Sequence, residues 1–597
     1  MTSTDTSNIE TAISELGSGY GTDETVVALA EEALRGRLIL LHALLARLAA
    51  DRPDDFADVE SAHRSLADLL QADFDSVAEL LSYPHVGNWL TSIFRRLNFT
   101  DYDAAQPTPL WADLGYLGWL AASGQIIVGR PGAVQVVVRS GVVMLPLIGM
   151  ARLGDVAECG HCTLSWSADD VLTFEYHDTT LVVASRDSET TPNWLPQRSL
   201  DADDSAHRLY LDDLDPFRDF DVKLPDLFEL PPDPLGVADA LTWAEHFRGA
   251  WQVLRRDFAR YHGPMRAGLH VIVPLTAKPE VTGQSWTSPT GYGAVYSTAP
   301  EDSCQLALTL IHEFQHAKFS LLADQAVLFE PDLTARFYAP WRIDPRPIYG
   351  LMHGIYAFFG VTDFWRVHRR SSCHGDLRAE LEFECGRRQV ATALEQVRSS
   401  GVLTPTGEKF LTTLSDSMAS WQSEDISAKA REVAADVSIC LKAFWRVRNL
   451  KPAFSDVVAL VDRWMNGSPS AGGLPPATIV DQDGIPNGHH RLTLPHALTR
   501  HAAMSVPQSA EDDGSGDFAC TVGNFEQAAA RYVAELHNDQ VRPQTWTGLA
   551  LVLPQLHAEA DLSLLRERTE IVAHMYCALA DRGVTCDIVD LVHWLTR

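Results

Sequence analysis

The period of the hydrophobic pattern changes twice along this chain, and those changes limit its fold more than any other feature. Residues 28–50 read ALAEEALRGRLILLHALLARLAA, with apolar side chains at i, i+3 and i+4, which is typical of amphipathic helices. From about residue 125, IIVGRPGAVQVVVRSGVVMLP alternates with a period of two and is rich in β-branched residues. A helical period returns after about residue 300. The sequence therefore predicts an α+β fold that is mostly helical, with an antiparallel β region in its N-terminal half and a helical C-terminal tail.

Breaks in period and composition divide the chain further. Runs rich in Gly, Pro, Ser and Asp interrupt the pattern after about residue 466, as linkers do. We expect five regions: a helical region at 1–120, an antiparallel β region at 121–200, a catalytic core at 201–466, a linker and strand segment at 467–523, and a helical tail at 524–597.

Charge and composition exclude several classes of function. The formal net charge of −31 opposes nucleic-acid binding, which needs a positive field to displace counterions from phosphates. The most apolar early stretch is interrupted by charged residues, so we expect no transmembrane helix, and the first residues lack the pattern of a secretory signal. The nine cysteines are sparse and irregular, which favours a cytoplasmic protein over a disulfide framework.

The sequence HEFQH at residues 312–316 is the clearest chemical signal. A spacing of four brings His312 and His316 to one face of a helix, one turn apart, where both imidazoles can bind a metal beside Glu313. The surrounding CQLALTLIHEFQHAKFSLLADQ has no Gly or Pro and is apolar enough to be buried. Buried histidines need polar partners, so the pattern predicts a metal site on this helix.

A third ligand must come from elsewhere in the chain. Phe319 and Leu322 stand where metzincins carry Gly and His, which excludes that arrangement. A downstream carboxylate or imidazole remains, and the candidates are Glu330, Glu380, Glu382, Glu384 and His353.

Two histidines and a carboxylate are compatible with more than one chemistry. They build catalytic zinc sites, where Glu313 would be the general base for a metal-bound water. They also build the facial triad of Fe(II) oxygenases, where Glu313 would orient neighbouring groups instead. A peptide-binding scaffold with a structural metal is a third possibility. Ligand type alone does not decide among them.

The segment YAPWRIDPRPIYG places two arginines four residues apart. Arg342 and Arg346 lie in a loop stiffened by proline and flanked by Tyr338 and Trp341. Guanidinium groups held in this way can bind a carboxylate in bidentate fashion, such as the distal carboxylate of 2-oxoglutarate. Ordinary ion pairing with the abundant acidic residues is the alternative.

In order along the chain, HEFQHAK, YAPWRIDPRP, GLMHGIYAFFGV and FWRV resemble the HExxH-type 2-oxoglutarate-dependent peptide β-hydroxylases. The likeness extends over most of the chain. It implies an enzyme that uses Fe(II), 2-oxoglutarate and O2 to hydroxylate a β-carbon in a ribosomally synthesised precursor peptide during natural-product maturation. The chain has no CxxxCxxC motif, so it resembles the members that are not fused to a radical enzyme.

The resemblance also implies roles for residues. His312 and His316 match the iron ligands, and Arg342 and Arg346, with Tyr338 beside them, match the co-substrate site. LEFECGRRQ resembles the helix F-E-x-x-x-x-R-x-Q of the family, which makes Glu382 the favoured third ligand, although Leu381 and Gly386 depart from that pattern. His353 and Glu330 remain the alternatives.

Two further patterns need an interpretation. Residues 159–162, CGHC, match the active-site tetrapeptide of disulfide isomerases, but the following TLSWSADD indicates a strand where that chemistry needs a helix N-terminus.

Residues 283–297 predict a hairpin whose edge strand could lie near the HExxH helix and pair with an extended peptide. An internal hairpin without that role is the alternative.

Overall fold

A computed structural model describes residues 3–155, 159–186, 188–200, 208–218, 228–230, 233–277, 284–332, 337–371, 377–480, 514–537 and 539–597. It is 61% helical and 13% strand, which confirms the mostly helical α+β prediction. The chain forms two compact units, residues 1–326 and 327–597, so the boundary falls inside the region 201–466 that the sequence grouped as one core. In the described part of the chain, no helix has the length and apolar character needed to cross a bilayer.

The first unit begins with eight helices. Several begin with the residue types that cap helices: Thr22 accepts a hydrogen bond from the backbone N–H of Thr25, and Pro53 and Pro84 each begin a helix. The helices are α1 (Ser3–Gly17), α2 (Asp23–Asp51), α3 (Pro53–Ala72), α4 (Phe74–Ser82), α5 (Pro84–Asn98), α6 (Thr100–Ala104), α7 (Leu110–Leu114) and α8 (Tyr116–Ile127).

Two antiparallel sheets follow, as the period of two predicts. The larger has the order β1-β4-β5-β6, formed by β1 (Gly132–Val138), β4 (Gly160–Trp166), β5 (Leu172–Tyr176) and β6 (Thr179–Val183). In β4 the buried Cys162, Leu164 and Trp166 alternate with less buried residues, so one face of the sheet packs on the core. The smaller has the order β2-β3-β7, formed by β2 (Val142–Leu145), β3 (Gly149–Arg152) and β7 (Trp194–Pro196).

A third sheet in this unit is mixed, which the sequence did not predict. Its order is β12-β13-β11-β9-β8, with β10 pairing β11, and β9, β11 and β13 run parallel. Helices α9 (Val237–Asp257) and α10 (Ala259–Gly268) lie between β9 and β11 in sequence, as a parallel crossover requires. The strands are β8 (Arg198–Leu200), β9 (Leu209–Leu211), β10 (Phe228–Glu229), β11 (Val271–Ala277), β12 (Ser285–Thr287) and β13 (Ala294–Thr298).

A buried carboxylate joins this sheet to the helices. Asp212, directly after β9, accepts hydrogen bonds from the Tyr83 hydroxyl and from the backbone N–H groups of Leu214 and Asp215, at 2.9 and 3.0 Å. His85 Nε2 lies 3.1 Å from the same carboxylate. Burial disfavours the charged form, but these donors hold the pKa of Asp212 well below its ordinary value. The carboxylate therefore fixes the start of α5 against the end of β9.

The predicted metal-binding helix is α11 (Ser303–Gln325), the last element of the first unit. Asp302 caps it by accepting a hydrogen bond from the Gln305 N–H at 2.8 Å. The helix packs against α9, α2 and β12, and most of its apolar residues are buried, as predicted.

The second unit is almost entirely helical, and the C-terminal tail belongs to its core. Side chains of α15 and α16 form one apolar cluster with those of the tail, including the fully buried Trp546. The middle of the linker, residues 481–513, lies outside the described residues. The elements are α12 (Ile348–Ser371), α13 (Leu377–Ser399), α14 (Pro405–Ala419), α15 (Ala428–Asn449), β14 (Leu450–Pro452), α16 (Phe454–Met465), β15 (Ala477–Ile479), α17 (Gly516–Thr521), α18 (Phe525–Leu536), α19 (Pro543–Leu556), α20 (Leu564–Glu567), α21 (Thr569–Asp581) and α22 (Ile588–Thr596).

A bidentate ion pair links the tail to α15. Arg446 donates from Nε and Nη2 to the two carboxylate oxygens of Glu570 at 2.6 and 2.7 Å, and Arg568 donates at 2.9 Å. Glu570 is fully buried. Burial alone would raise the pKa of Glu570, but the two arginines lower it below its ordinary value.

We expect Glu570→Gln to lower the free energy of unfolding by about 3 kcal/mol at neutral pH, because it breaks a buried pair. Since the folded-state pKa of Glu570 is lowered, the stabilisation is present at neutral pH and is lost as the pH falls below about 4. Urea unfolding at several pH values measures both effects. Glu432→Gln, which removes the exposed pair with Lys429, is the control and should change little. Equal effects of the two variants would contradict the prediction.

Candidate metal centre

The two predicted histidine ligands lie on one face of α11, as their spacing predicts. The ring centroids of His312 and His316 are 4.8 Å apart, and the ring planes are nearly perpendicular. Both side chains are partly buried, and 24% of the His312 side chain is exposed. A buried helix therefore presents two neighbouring imidazoles at a position that solvent reaches.

Glu313 points from the same helix towards β12. The Ser285 hydroxyl donates to its Oε1 at 2.6 Å and the Thr287 hydroxyl to its Oε2 at 2.5 Å. His312 Nε2 lies 3.8 Å from Oε1. Both oxygens of this buried carboxylate thus accept hydroxyl hydrogen bonds, and the strand fixes its orientation. The sequence analysis did not identify Ser285 and Thr287, although their alternation around Trp286 was a usable signal for two hydroxyls on one face of a strand.

The other polar residues of HEFQHAK lie on a different face of α11. Gln315 donates to the Gly19 carbonyl at 2.9 Å, and Lys318 donates to the Tyr20 carbonyl. Both side chains are fully buried, and burial lowers the pKa of Lys318 to about 7. These two residues anchor the connection between α1 and α2, so they explain why a buried helix carries polar residues away from the histidine face.

In the second unit, Arg342 and Arg346 hold a carboxylate of the protein itself. Arg342 Nε donates to Asp344 Oδ1 at 2.8 Å, and Arg346 Nη1 donates to Oδ2 at 3.3 Å. Burial opposes ionisation of Asp344, but the two arginines lower its pKa below the ordinary value. The loop therefore forms the ordinary ion pairing that was the alternative to ligand binding. Each arginine donates to a different oxygen of the carboxylate, which is also how a bound carboxylate ligand would be held.

Tyr338 is part of the same loop and is held on both sides. Its ring lies 5.2 Å from that of Trp445, and its backbone exchanges hydrogen bonds of 3.2 and 2.9 Å with the Gln396 side chain. Burial raises the pKa of its hydroxyl above the ordinary value. Tyr338 therefore stays protonated at neutral pH and stiffens the arginine loop.

The two alternative third ligands have different surroundings. His353 on α12 lies against Tyr349, with ring centroids 4.4 Å apart and the ring planes tilted by 56°. Burial and the nearby Arg346 lower the pKa of His353 to about 3, which keeps the imidazole in the neutral form that binds metals. Glu330 is exposed, and its backbone N–H donates to the Val402 carbonyl at 2.8 Å.

The three carboxylates of α13 have different partners. Glu384 is buried and pairs with Arg387 and Arg388, and Glu380 accepts a hydrogen bond from the Ser427 N–H at 3.2 Å. Glu382 has an exposed side chain without a hydrogen bond to any described residue; neighbouring protein atoms desolvate its carboxyl and raise its pKa above the ordinary value, and the nearby Arg378 partly offsets this. Of the three, Glu382 is therefore the carboxylate available to a ligand.

Among the residues that the structure describes, no three His, Cys, Asp or Glu side chains are gathered as a metal site. The histidine face of α11 supplies two nitrogen donors, which suit both Fe(II) and zinc. The third donor remains a prediction, with Glu382 favoured and His353 and Glu330 as alternatives.

The CGHC sequence lies in a strand environment, as predicted. Gly160, His161 and Cys162 belong to β4, and burial raises the pKa of the Cys162 thiol to about 12. Cys159 and Cys162 are not joined by a disulfide. The tetrapeptide runs into a strand and not into the helix N-terminus that this chemistry needs, so the pattern does not favour thiol–disulfide exchange.

Comparison with known proteins gives no family, since no protein-family model matches the chain and no curated protein does. Function must therefore be argued from the residues and their geometry.

We expect Thr287→Val to lower the free energy of unfolding by about 1–3 kcal/mol, because it removes a hydroxyl donor from the buried Glu313 carboxylate. Chemical denaturation of the variant and of the parent protein measures this loss of free energy. Thr413→Val is the matched control, since the Thr413 hydroxyl makes its bond on an exposed helix surface. If Thr287→Val is as stable as the control, Glu313 does not depend on β12.

Proposed function

We propose that this protein is an Fe(II)- and 2-oxoglutarate-dependent oxygenase that hydroxylates a β-carbon in a ribosomally synthesised peptide. The observation that carries the proposal is the histidine face of α11, where two imidazoles lie together while the adjacent Glu313 is turned to β12. The resemblance of HEFQHAK and YAPWRIDPRP to the peptide β-hydroxylases indicates the class of reaction.

The orientation of Glu313 favours an oxygenase over a zinc peptidase. In a peptidase this carboxylate must take a proton from a metal-bound water. Here the Ser285 and Thr287 hydroxyls each donate to one of its oxygens, which orients the carboxylate towards the strand. A carboxylate held in this way is suited to orienting the neighbouring His312, 3.8 Å away.

Each group of residues would have a defined task. His312 and His316 would hold the iron, and Glu382 is the predicted third ligand. Bound iron, with 2-oxoglutarate and O2, supplies the oxidising chemistry that breaks a C–H bond. Arg342 and Arg346 would bind a carboxylate of 2-oxoglutarate in place of Asp344, and the hydrogen bonds that both arginines donate to Asp344 support this role.

The predicted hairpin supports a peptide substrate. It is confirmed as β12 and β13, and β12 is an edge strand of the described sheet, in contact with α11. An extended peptide pairing with β12 would lie beside the histidine face. The net charge of −31 favours a neutral or basic peptide. The described cysteines are all free thiols, and we place the activity in the cytoplasm.

Anaerobic reconstitution tests the reaction class. After anaerobic loading with Fe(II), addition of 2-oxoglutarate, O2 and a co-expressed precursor peptide should yield succinate and a peptide mass gain of about one oxygen. His312→Ala should abolish both, because the variant removes a metal ligand. Peptide cleavage restored by zinc, without succinate, would instead identify a metallopeptidase. A bound metal with neither reaction would identify a scaffold.

Glu313→Gln separates the two enzyme classes. An amide keeps the shape and still accepts from Ser285 or Thr287, but it cannot take a proton. For an oxygenase we expect metal binding to persist and hydroxylation to fall by roughly tenfold, through the altered orientation of His312. Complete loss of activity with intact metal content would favour Glu313 as general base.

Glu382→Gln tests the third ligand. We expect Fe(II) affinity to fall by at least roughly tenfold, measured by anaerobic titration, since loss of contacts around a metal typically costs 10–100-fold. Glu380→Gln on the same helix is the control and should leave affinity unchanged. If both variants bind Fe(II) like the parent protein, His353 and Glu330 become the candidates to test next.

A further inference from the structure

The first strand of the antiparallel sheet has an open side. Strand β1 lies at the edge of the order β1-β4-β5-β6 and pairs only with β4 in the described sheet. The Val137 carbonyl accepts a hydrogen bond from Trp119 Nε1 at 2.8 Å, so it points away from β4. Because backbone direction alternates along a strand, Ala133 and Gln135 also direct their N–H and C=O groups to the open side.

This open side is exposed in its first half. Residues 133–135 are exposed, including 40% of Val134, whereas residues 136–138 are buried. Strand β1 reads GAVQVVV and has neither proline nor charged side chains, which are the usual means of blocking a sheet edge. Among the described residues, no other strand pairs with this side of β1, so its backbone groups are open to another extended chain.

A groove runs beside this edge. We call it the β1 groove: a cavity of about 760 Å³ between α3, α8 and β1, lined among others by Gly118, Gln125, Val134 and Gln135. A Cβ atom placed on Gly118 would meet no atom within 4 Å, so this position of α8 opens into free space. The rings of Trp111 and His161, stacked at 5.3 Å, also line the cavity.

The groove has an acidic wall. Asp54, Asp55 and Asp58, at the start of α3, line it. Asp55 pairs with Arg52 at 2.6 Å, whereas Asp54 and Asp58 have no ion pair with any described residue. Two carboxylates beside an open strand edge select against an acidic occupant and favour a basic one.

We propose that the β1 groove binds a basic segment of a peptide in extended conformation, as an added strand on β1. Backbone hydrogen bonds to Ala133 and Gln135 provide affinity, and Asp54 and Asp58 select lysine or arginine side chains. The identity of this peptide as the one that is modified rests on the proposed function. On that basis the β1 groove binds a recognition segment of the substrate. Strand β1 belongs to a different sheet from β12, the strand beside the histidine face.

A model peptide tests the groove directly. The probe is a fluorescein-labelled peptide of about twelve residues with alternating Lys and Thr, long enough to span β1. We expect saturable binding to the full chain by fluorescence anisotropy, without added metal or 2-oxoglutarate, and weaker binding at high salt. The same peptide N-methylated at alternate residues should lose at least roughly tenfold in affinity, because it cannot pair with the strand edge.

Gly118→Phe should weaken probe binding by at least roughly tenfold, because the ring fills the groove. Gly36→Phe on α2 is the matched control, since Gly36 is also a helical glycine whose added Cβ meets no atom within 4 Å. If circular dichroism shows that Gly118→Phe is unfolded, the double variant Asp54→Lys, Asp58→Lys takes its place. We expect it to lose at least roughly tenfold in affinity for the probe as well.

Equal binding of the probe to the parent protein, Gly118→Phe and Gly36→Phe would overturn the proposed groove, as would equal binding of the N-methylated peptide. His312→Ala should leave probe binding unchanged. If the probe binds normally but no succinate forms, only the proposed oxygenase activity is refuted. If Gly118→Phe turns over a precursor peptide with the KM of the parent protein, only the proposed groove is refuted.

Discussion

The buried Asp212 carboxylate is the interaction on which the first unit depends. It gathers a tyrosine, a histidine and two backbone N–H groups at the end of β9, and thereby fixes the helical layer to the mixed sheet. Strand β11 pairs in parallel with β9 on one side and with β13 on the other, and β12 pairs antiparallel with β13. The strand whose hydroxyls bond Glu313 therefore belongs to the same sheet that Asp212 joins to the helices.

Helix α11 serves several purposes with one short sequence. Residues 312–318 direct two imidazoles to a position that solvent reaches, one carboxylate to β12, and an amide and an amine to the connection between α1 and α2. The buried side chains of Glu313, Gln315 and Lys318 each make at least one hydrogen bond within the same unit, as burial requires. This helix therefore combines a structural and a chemical role, and its sequence leaves little freedom for substitution.

Local patterns in the sequence predicted the features that depend on local physics. The spacing of His312 and His316 predicted their shared face, and Gly and Thr around residues 283–297 predicted the β12–β13 hairpin. The parallel pairing of β9 with β11 escaped prediction, because hydrophobic alternation does not encode strand direction. The contacts of Glu313 with Ser285 and Thr287 span 28 and 26 residues, so they depend on tertiary structure that periodicity does not report.

The packing of the tail has a consequence for biosynthesis. Helix α15 completes its apolar surroundings only with α18–α22, which are synthesised later than α15, and Arg446 meets Glu570 only then. The first unit ends at residue 326 and draws its core from residues already synthesised at that point. The amino-terminal unit can therefore fold before the second unit is synthesised, whereas the carboxy-terminal unit must wait for helices α18–α22 and keeps the apolar side of α15 uncovered until then.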